Sequence, residues 1–210
     1  MKTAHRGVEV FFLDDPQLTP EQRSAAVEHV AAGRGWLSGH IGGPDRRREL
    51  FRPVLSGRHV IVALCDGRYA GFISYRHRGR GPMAPRLGDF IRVFGAGAIR
   101  PWVAFRIGEA RLRARGIYFC GLEIVPGIRR RGIGAALLGE IIRFARDDLG
   151  VETVEFDVRV GNVKARVLFR AFDARPIDYP FFSIDRFILS RNRDFDRLAF
   201  FLSPGSKDKR

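Results

Sequence analysis

Apolar residues recur along the chain in short runs typical of strands, separated by glycine, proline and charged residues typical of turns. Some runs alternate with polar residues, whereas 117–125 is apolar almost throughout, which predicts a strand buried on both sides. Asp66-Gly67 stands between two runs and strongly favours a β-hairpin. The predicted strands cover residues 8–13, 59–65, 68–75, 117–125, 151–160, 181–189 and 197–202.

Helical periodicity and helix-start signals fall between these runs. Thr19 is a good N-cap, Pro20 suits the first helical position, and Gln22 is spaced to close a capping box. Gly33 then ends that helix. Pro101 and several glycines divide the segment that follows the hairpin into two helical pieces. The predicted helices lie at 20–32, within 36–55, in two pieces within 76–116, at 135–149 and at 162–172.

This order of elements predicts an α/β fold (α+β mixed sheet) with helices on its faces and a helical insertion, 76–116, between the third and fourth strands. The length of 210 residues corresponds to a single domain over 1–210. The polar tail 203–210 is expected to fray.

Composition excludes several classes of protein. With 45% hydrophobic and 29% charged residues, the chain is globular rather than disordered. No long uncharged apolar stretch predicts a membrane-spanning helix, and no export signal precedes the first strand, so a cytoplasmic protein is expected. Cys65 and Cys120 lack CxxC spacing, so neither a disulfide framework nor a metal site is expected.

The formal charge of +14 changes the choice of partners. Only four of the thirty-seven basic residues are lysines, and ten arginines lie within 76–116 beside only two acidic residues. The positive electrostatic field of these residues favours an anionic partner: a nucleotide cofactor, nucleic acid, an acidic substrate or a membrane surface. Genome composition and solubility explain an arginine bias equally well, so the charge alone decides nothing.

The segment 125–135 carries the clearest chemistry, because a buried strand runs into a glycine- and arginine-rich loop that opens a helix. A helix N-terminus offers free amide donors and partial positive charge to a phosphate group. Gly132 and Gly134 let the backbone approach a pyrophosphate closely. The loop is neither a dinucleotide GxGxxG motif nor a P-loop. A plain strand-to-helix turn, with glycine for geometry and arginine for solubility, is the alternative.

The same segment resembles the acyl-CoA loop of the GNAT superfamily of N-acyltransferases. Arg129, Gly132 and Gly134 fill its signature of Arg or Gln, two residues, Gly, one residue, Gly or Ala. The stretch that begins at Asn162 is similar to a second family element: Asn, two residues, Ala, two residues, Leu, then an aromatic. The resemblance spans about 8–202, and its specific motifs lie within 117–172.

The resemblance implies an N-acetyltransferase with acetyl-CoA as co-substrate and a primary amine of an unidentified acceptor, which attacks the thioester directly. The backbone of Ile124 and Val125 would pair with the pantetheine arm, and Asn162, Ala165 and Phe169 would contact the far side of the cofactor. Arg129 and the amides of the loop would hold the pyrophosphate. Those loop residues are Arg130, Arg131, Gly132, Ile133, Gly134 and Ala135. The length of the acyl chain stays open.

Two departures from the family affect the catalytic residues. Phe169 occupies the position of the family's usual tyrosine acid, so protonation of the thiolate would fall to water, Tyr118 or Tyr179. Phe119 occupies the position of a carboxylate base found in some members. Glu123 shares strand parity with Phe119 and is predicted as the base or as a ligand of the substrate amine; an ion pair with an arginine is the alternative. Loss of water around a carboxylate favours its protonated form, which suits a general base.

Other functions remain open for the basic surface. The insertion 76–116 lies where the family builds the acceptor side, and it could bind an acidic or amphipathic acceptor, contact a membrane, cap the sheet or form a homodimer. A non-catalytic basic binding module on the same fold, for nucleic acid or an acidic ligand, is the alternative to the enzyme. No nucleic-acid motif is present, so neither nucleic acid nor a membrane is the favoured partner.

Overall fold

A computed structural model describes residues 7–33, 38–111, 114, 116–177 and 195–202. The strands are β1 (Val8–Phe12), β2 (Val60–Cys65), β3 (Arg68–His77), β4 (Ile117–Ile124), β5 (Thr153–Arg159), β6 (Arg175–Pro176) and β7 (Phe195–Phe201). The helices are α1 (Pro20–Ala32), α2 (Ser38–Ile41), α3 (Pro44–Phe51), α4 (Leu87–Phe94), α5 (Ile99–Arg111), α6 (Ile133–Arg143) and α7 (Val163–Ala171).

The seven strands found in these ranges form one mixed sheet in the order β1-β2-β3-β4-β5-β7-β6. Neighbours pair antiparallel except β4 and β5, which run parallel because the connection through α6 returns the chain to the same end of the sheet. The predicted mixed α/β fold is therefore confirmed, including a two-helix insertion between the third and fourth strands.

Local signals in the sequence are realised at the turns and caps. The Thr19 hydroxyl accepts the Gln22 amide at 3.2 Å, and the Gln22 side chain accepts the Thr19 amide at 2.8 Å, which completes the predicted capping box. In the hairpin turn, Asp66 and Gly67 have φ of 51° and 73°, the left-handed values that a two-residue turn requires.

Helices cover both faces of the sheet and define two cores. On the first face, α6 and α7 bury Ile133, Leu137 and Phe169 against the central strands. On the second face, α1, α3, α4 and α5 enclose a second core that contains Val30 and Phe105. No helix in the described ranges is long and apolar enough to cross a membrane.

Three expectations need correction or fall outside the description. The segment 36–55 holds two helices, α2 and α3, rather than one. The second half of β4 is only partly buried, because its neighbour β5 diverges from it. Tyr179, the predicted strand 181–189 and the tail 203–210 lie outside the described residues.

A buried ion pair joins β5 to β7 on the second face. The Arg197 guanidinium donates to both carboxylate oxygens of Asp157, at 2.7 and 3.1 Å, and its carbon lies 5.1 Å from the centroid of the Tyr118 ring. Arg197 is almost fully buried. Its charge therefore depends on partners inside the protein for compensation.

Replacement of Asp157 by asparagine is expected to lower the free energy of unfolding by about 3 kcal/mol, because the buried guanidinium loses the carboxylate that accepts two of its hydrogen bonds. Urea denaturation measures the change. Asp173→Asn is the matched control, since its pair with Arg175 is exposed and is expected to contribute less than about 0.5 kcal/mol. Equal losses in the two variants would contradict this assignment.

Candidate active site

The sheet opens between β4 and β5. These strands pair only at Ile117 with Val154 and at Tyr118 with Glu155, after which both continue without pairing to each other. The edge of β4 beyond Tyr118 therefore keeps backbone groups that β5 does not satisfy. An extended ligand with amide groups could bind along this edge, beside Ile124 and Val125.

The loop after β4 leads directly into the start of α6. Gly132 is the N-cap, with φ of 79°, and no side chain caps the helix. The first turn of α6 also contains no acidic residue. No capping side chain therefore accepts a hydrogen bond from the first amides of α6. These donors, together with the partial positive charge of the helix start, suit the binding of an anion.

Two predicted phosphate residues also have structural partners. A Cβ on Gly134 would lie 3.1 Å from a methyl carbon of Leu168, so this glycine allows α6 to pack closely against α7. The Arg131 guanidinium donates to Asp66 at 3.0 Å and to the Cys65 sulfur at 3.6 Å, which ties the loop to the hairpin. The backbone amides of both residues remain at the helix start.

The second family element forms the start of α7. The Asn162 side-chain oxygen accepts the Ala165 amide at 3.2 Å and so caps the helix. Phe169 is buried, with its ring centroid 4.5 Å from that of Phe156. A phenylalanine ring has no proton to donate, and contact of Asn162, Ala165 and Phe169 with a cofactor stays a prediction.

Glu123 lies on β4 beside the opening and faces α1. One carboxylate oxygen is 3.3 Å from His29 Nε2, and the side chain of Glu123 is 43% exposed, so a ligand could reach it. The Nδ1 atom of the same histidine is 3.0 Å from the Tyr69 hydroxyl. The predicted carboxylate thus has a histidine partner rather than an arginine.

The Tyr69 hydroxyl contacts the second ring nitrogen of this histidine. Burial, and then the charge of Glu123, raise the pKa of the Tyr69 hydroxyl above its usual value, so it stays protonated. A hydroxyl that donates to Nδ1 leaves Nε2 as the N–H that faces the carboxylate. The His29 ring also packs edge-on against Phe72, with centroids 5.2 Å apart, which restrains its orientation.

The expectation that Glu123 and Phe119 share one face of β4 is wrong. The register passes from Tyr75 with Phe119 to Ser74 with Gly121, so Cys120 is an extra residue in β4. This β-bulge reverses the alternation of side chains, and Phe119 packs on the first face whereas Glu123 points to the second. The carboxylate therefore lies across the sheet from α6.

Sequence reasoning did not single out His29 or Tyr69. They are forty residues apart, and their types are common in helices and strands, so nothing local in the sequence links them to Glu123. Tyr118, a predicted acid candidate, is buried where β4 and β5 separate. Burial and the nearby Asp157 carboxylate raise the pKa of Tyr118 well above its usual value, so its proton is firmly held.

Solved structures with TM-scores above 0.5 share this fold over most of their length. A Pyrococcus horikoshii protein gives a TM-score of 0.52 at 16% identity, over 93% of this chain and 99% of that chain. A GNAT-family acetyltransferase from Bacillus cereus gives 0.51 at 11% identity, over 93% and 96%. A lower TM-score of 0.40, at 18% identity over 69% of this chain and 67% of that chain, is found for Campylobacter jejuni N-acetyltransferase PseH in complex with acetyl coenzyme A.

Comparison with sequences gives a family but no individual relative. No curated protein sequence matches the chain. The model of the acetyltransferase (GNAT) family matches residues 36–173, a range that contains the β2–β3 hairpin, the opening beside β4, the start of α6 and the Asn162 cap of α7. Because this match covers more than half of its residues, the chain belongs to the acetyltransferase (GNAT) family.

Proposed function

We propose that this protein transfers the acetyl group of acetyl-CoA to a primary amine of its acceptor, with Glu123 as general base. One observation carries the proposal: the opening beside β4 has an uncapped helix start at its end and a reachable carboxylate on its second face. The first feature suits a pyrophosphate, and the second suits an ammonium group.

The cofactor residues take the roles that the family resemblance implies. The backbone of Ile124 and Val125 pairs with the pantetheine arm along the free edge of β4, where Val125 offers its carbonyl because its N–H donates to the Ala70 carbonyl at 2.9 Å. The amides from Arg130 to Ala135, with the Arg129 guanidinium, bind the pyrophosphate by charge-assisted hydrogen bonds. Asn162, Ala165 and Phe169 line the far side.

The reaction forms a bond between the amine nitrogen and the acetyl carbon and breaks the bond between that carbon and sulfur. Glu123 accepts the proton that the ammonium must lose before its nitrogen can attack. The thiolate of the departing CoA takes a proton from water, because Phe169 has none to give. The hydroxide left from that water takes the second proton, which the nitrogen loses as the amide forms, and Glu123 returns its proton to solvent, so the protons balance without a metal.

His29 acts as a positioning residue for this base. Its Nε2–H group donates to one oxygen of Glu123 and leaves the other oxygen for the ammonium group of the acceptor. Tyr69 holds the imidazole in the required tautomer through Nδ1. The three side chains come from β4, α1 and β3, so packing of α1 on the second face of the sheet assembles them.

Removal of the Tyr69 hydroxyl tests this arrangement. Tyr69→Phe is expected to lower kcat about fivefold, the equivalent of one hydrogen bond of about 1 kcal/mol, with the KM for acetyl-CoA unchanged. The loss is expected in kcat alone, because the hydroxyl orients His29 and does not contact the cofactor. Steady-state kinetics with acetyl-CoA and the acceptor varied separately measures kcat and both KM values.

Tyr75→Phe is the matched control. Its hydroxyl donates to the Arg58 carbonyl at 2.7 Å on the first face, so the same chemical change removes one hydrogen bond away from Glu123. Similar stability losses in both variants with a kinetic change only in Tyr69→Phe support the positioning role. An unchanged kcat in Tyr69→Phe, or an equal loss of kcat in Tyr75→Phe, would exclude it.

The transfer itself is tested by release of free thiol from acetyl-CoA in the presence of a panel of primary amines, with mass spectrometry of the acceptor. We expect at least one amine to gain an acetyl group and to stimulate thiol release. If the protein binds acetyl-CoA but no amine of the panel stimulates thiol release, N-acetyl transfer to the classes of amine in the panel would be contradicted. No observation on the described residues favours the non-catalytic binding module.

A further inference from the structure

Helix α5 carries a row of apolar side chains that point into solvent. Ile99, Val103 and Ile107 are 57%, 40% and 47% exposed. They are spaced four residues apart, and with 3.6 residues per turn this spacing places all three on one side of the helix within about 80°. The exposed Ala110 falls on the same side.

The opposite side of α5 packs into the second core of the protein. Phe105 is buried beside Phe51 and Phe90, and Trp102 packs against the same cluster. The helix is therefore apolar on two sides, and the outward one has no partner within the described chain. Burial in the fold does not account for it.

Arginines flank this apolar row on both sides. On the helical projection, Arg106 lies about 20° to one side of Ile99, and Arg100 lies about 100° to the other. Both arginines are exposed. The adjoining helix α4 also has exposed Ile91 and Arg92, and the Arg92 guanidinium donates to the Glu49 carbonyl at 3.2 Å. We call the five side chains on α5 the arginine-flanked stripe: Ile99, Arg100, Val103, Arg106 and Ile107.

The two acidic residues of α4 and α5 do not neutralise this surface, because both are committed elsewhere. Asp89 accepts the Arg86 amide at 2.7 Å and so caps α4. Glu109 is buried and pairs with Arg76 of β3. The charged groups that the two described helices present outward are thus cationic.

We propose that the arginine-flanked stripe docks on the surface of a lipid bilayer that contains anionic headgroups. An interfacial helix buries an apolar row at the level of the acyl chains while arginines on its flanks reach the headgroups. The net charge of +14 adds attraction to an anionic leaflet. The described helices are too short or too polar to span the bilayer, so the contact is peripheral.

Two other occupants fit these observations less well. In a symmetric dimer formed through the stripe, each patch would meet another patch that carries only positive charge. A nucleic acid would satisfy the arginines, but its bases stack on aromatic rings and offer little to a row of exposed isoleucine and valine. An anionic bilayer is the surface that satisfies both the aliphatic and the cationic parts.

The test is co-sedimentation of the full chain with vesicles of phosphatidylcholine alone and of an equimolar mixture with phosphatidylglycerol. We expect binding to the anionic vesicles and at least about tenfold weaker partition of I99S/V103S/I107S. The control is V160S/V163S/V167S, which changes three valines of comparable exposure near α7 and is expected to bind as the unaltered chain does. Thermal melts establish that both triple variants are folded.

Several results would overturn the proposal. The proposal fails if the unaltered chain does not sediment with the anionic vesicles. It also fails if the two triple variants bind these vesicles equally. Binding that depends on charge but not on the stripe would show a general electrostatic effect of the basic protein. A change of oligomeric state in I99S/V103S/I107S, measured by analytical ultracentrifugation without vesicles, would instead assign the stripe to a second copy of the chain.

Discussion

Replacement of Glu123 by glutamine is expected to lower kcat by about a hundredfold to ten-thousandfold, the range in which a general base contributes. The amide has the shape of the carboxylate and retains an oxygen for His29 Nε2–H, so the packing of α1 on the sheet is preserved. It cannot accept the proton of the acceptor's ammonium group. Steady-state kinetics, with the Kd for acetyl-CoA measured separately, checks the expectation.

The Kd for acetyl-CoA should stay unchanged in Glu123→Gln, since the change lies on the second face of the sheet and the helix start is untouched. The rate of this variant should rise with pH, because free amine then forms without a base. Glu9→Gln is the control, an exposed glutamate on β1 whose loss should have no effect. A kcat within about threefold of the unaltered enzyme would exclude Glu123 as the base.

Introduction of a glutamate at Ala135 should have opposite effects on stability and on ligand binding. Ala135 is the third residue of α6 after its Gly132 cap, where an acidic side chain favours the helix by about 0.3–1 kcal/mol. The same charge would lie among the amides proposed to bind the pyrophosphate. We expect Ala135→Glu to melt at or above the unaltered temperature and to bind acetyl-CoA about a hundredfold more weakly.

Isothermal titration calorimetry and thermal melts without ligand separate these two effects. Ala96→Glu adds the same charge at an exposed site in the α4–α5 connection and controls for net charge. This variant should bind acetyl-CoA normally. Gly134 is a poorer position for the experiment, because a side chain there would meet Leu168 and disturb the packing of α6 on α7. An unaltered affinity of Ala135→Glu for acetyl-CoA would show that the start of α6 is not part of the binding site.

Much of the fold is predictable because its signals are local. The Thr19 capping box, the Asp66-Gly67 turn and the apolar periodicity of α6 each depend on residues within one or two turns of chain. The loop from Arg129 to Gly134 is likewise contiguous, so its phosphate-binding chemistry can be proposed from the sequence. These features require no knowledge of which elements meet in space.

The acceptor side was less predictable because it depends on one inserted residue and on long-range contacts. The extra residue Cys120 reverses the side-chain alternation of β4, and a strict two-residue period therefore assigns Glu123 to the wrong face. Nothing in the sequence marks such a bulge. The contact of His29 with Glu123 joins α1 to a strand ninety-four positions later, which only the packed structure reveals.

The most direct test of the central claim, that acetyl-CoA binds in the opening beside β4, is a thermal shift with acetyl-CoA beside ATP and inorganic polyphosphate at low and high salt. A ligand at a hundred times its Kd stabilises the folded chain by about 2.7 kcal/mol, which corresponds to about 5–10 °C for a domain of this size. We expect that shift with acetyl-CoA alone, retained at high salt and lost in Ala135→Glu. Equal shifts with all three anions that disappear at high salt would contradict the claim and leave only the attraction of a basic protein for negative charge.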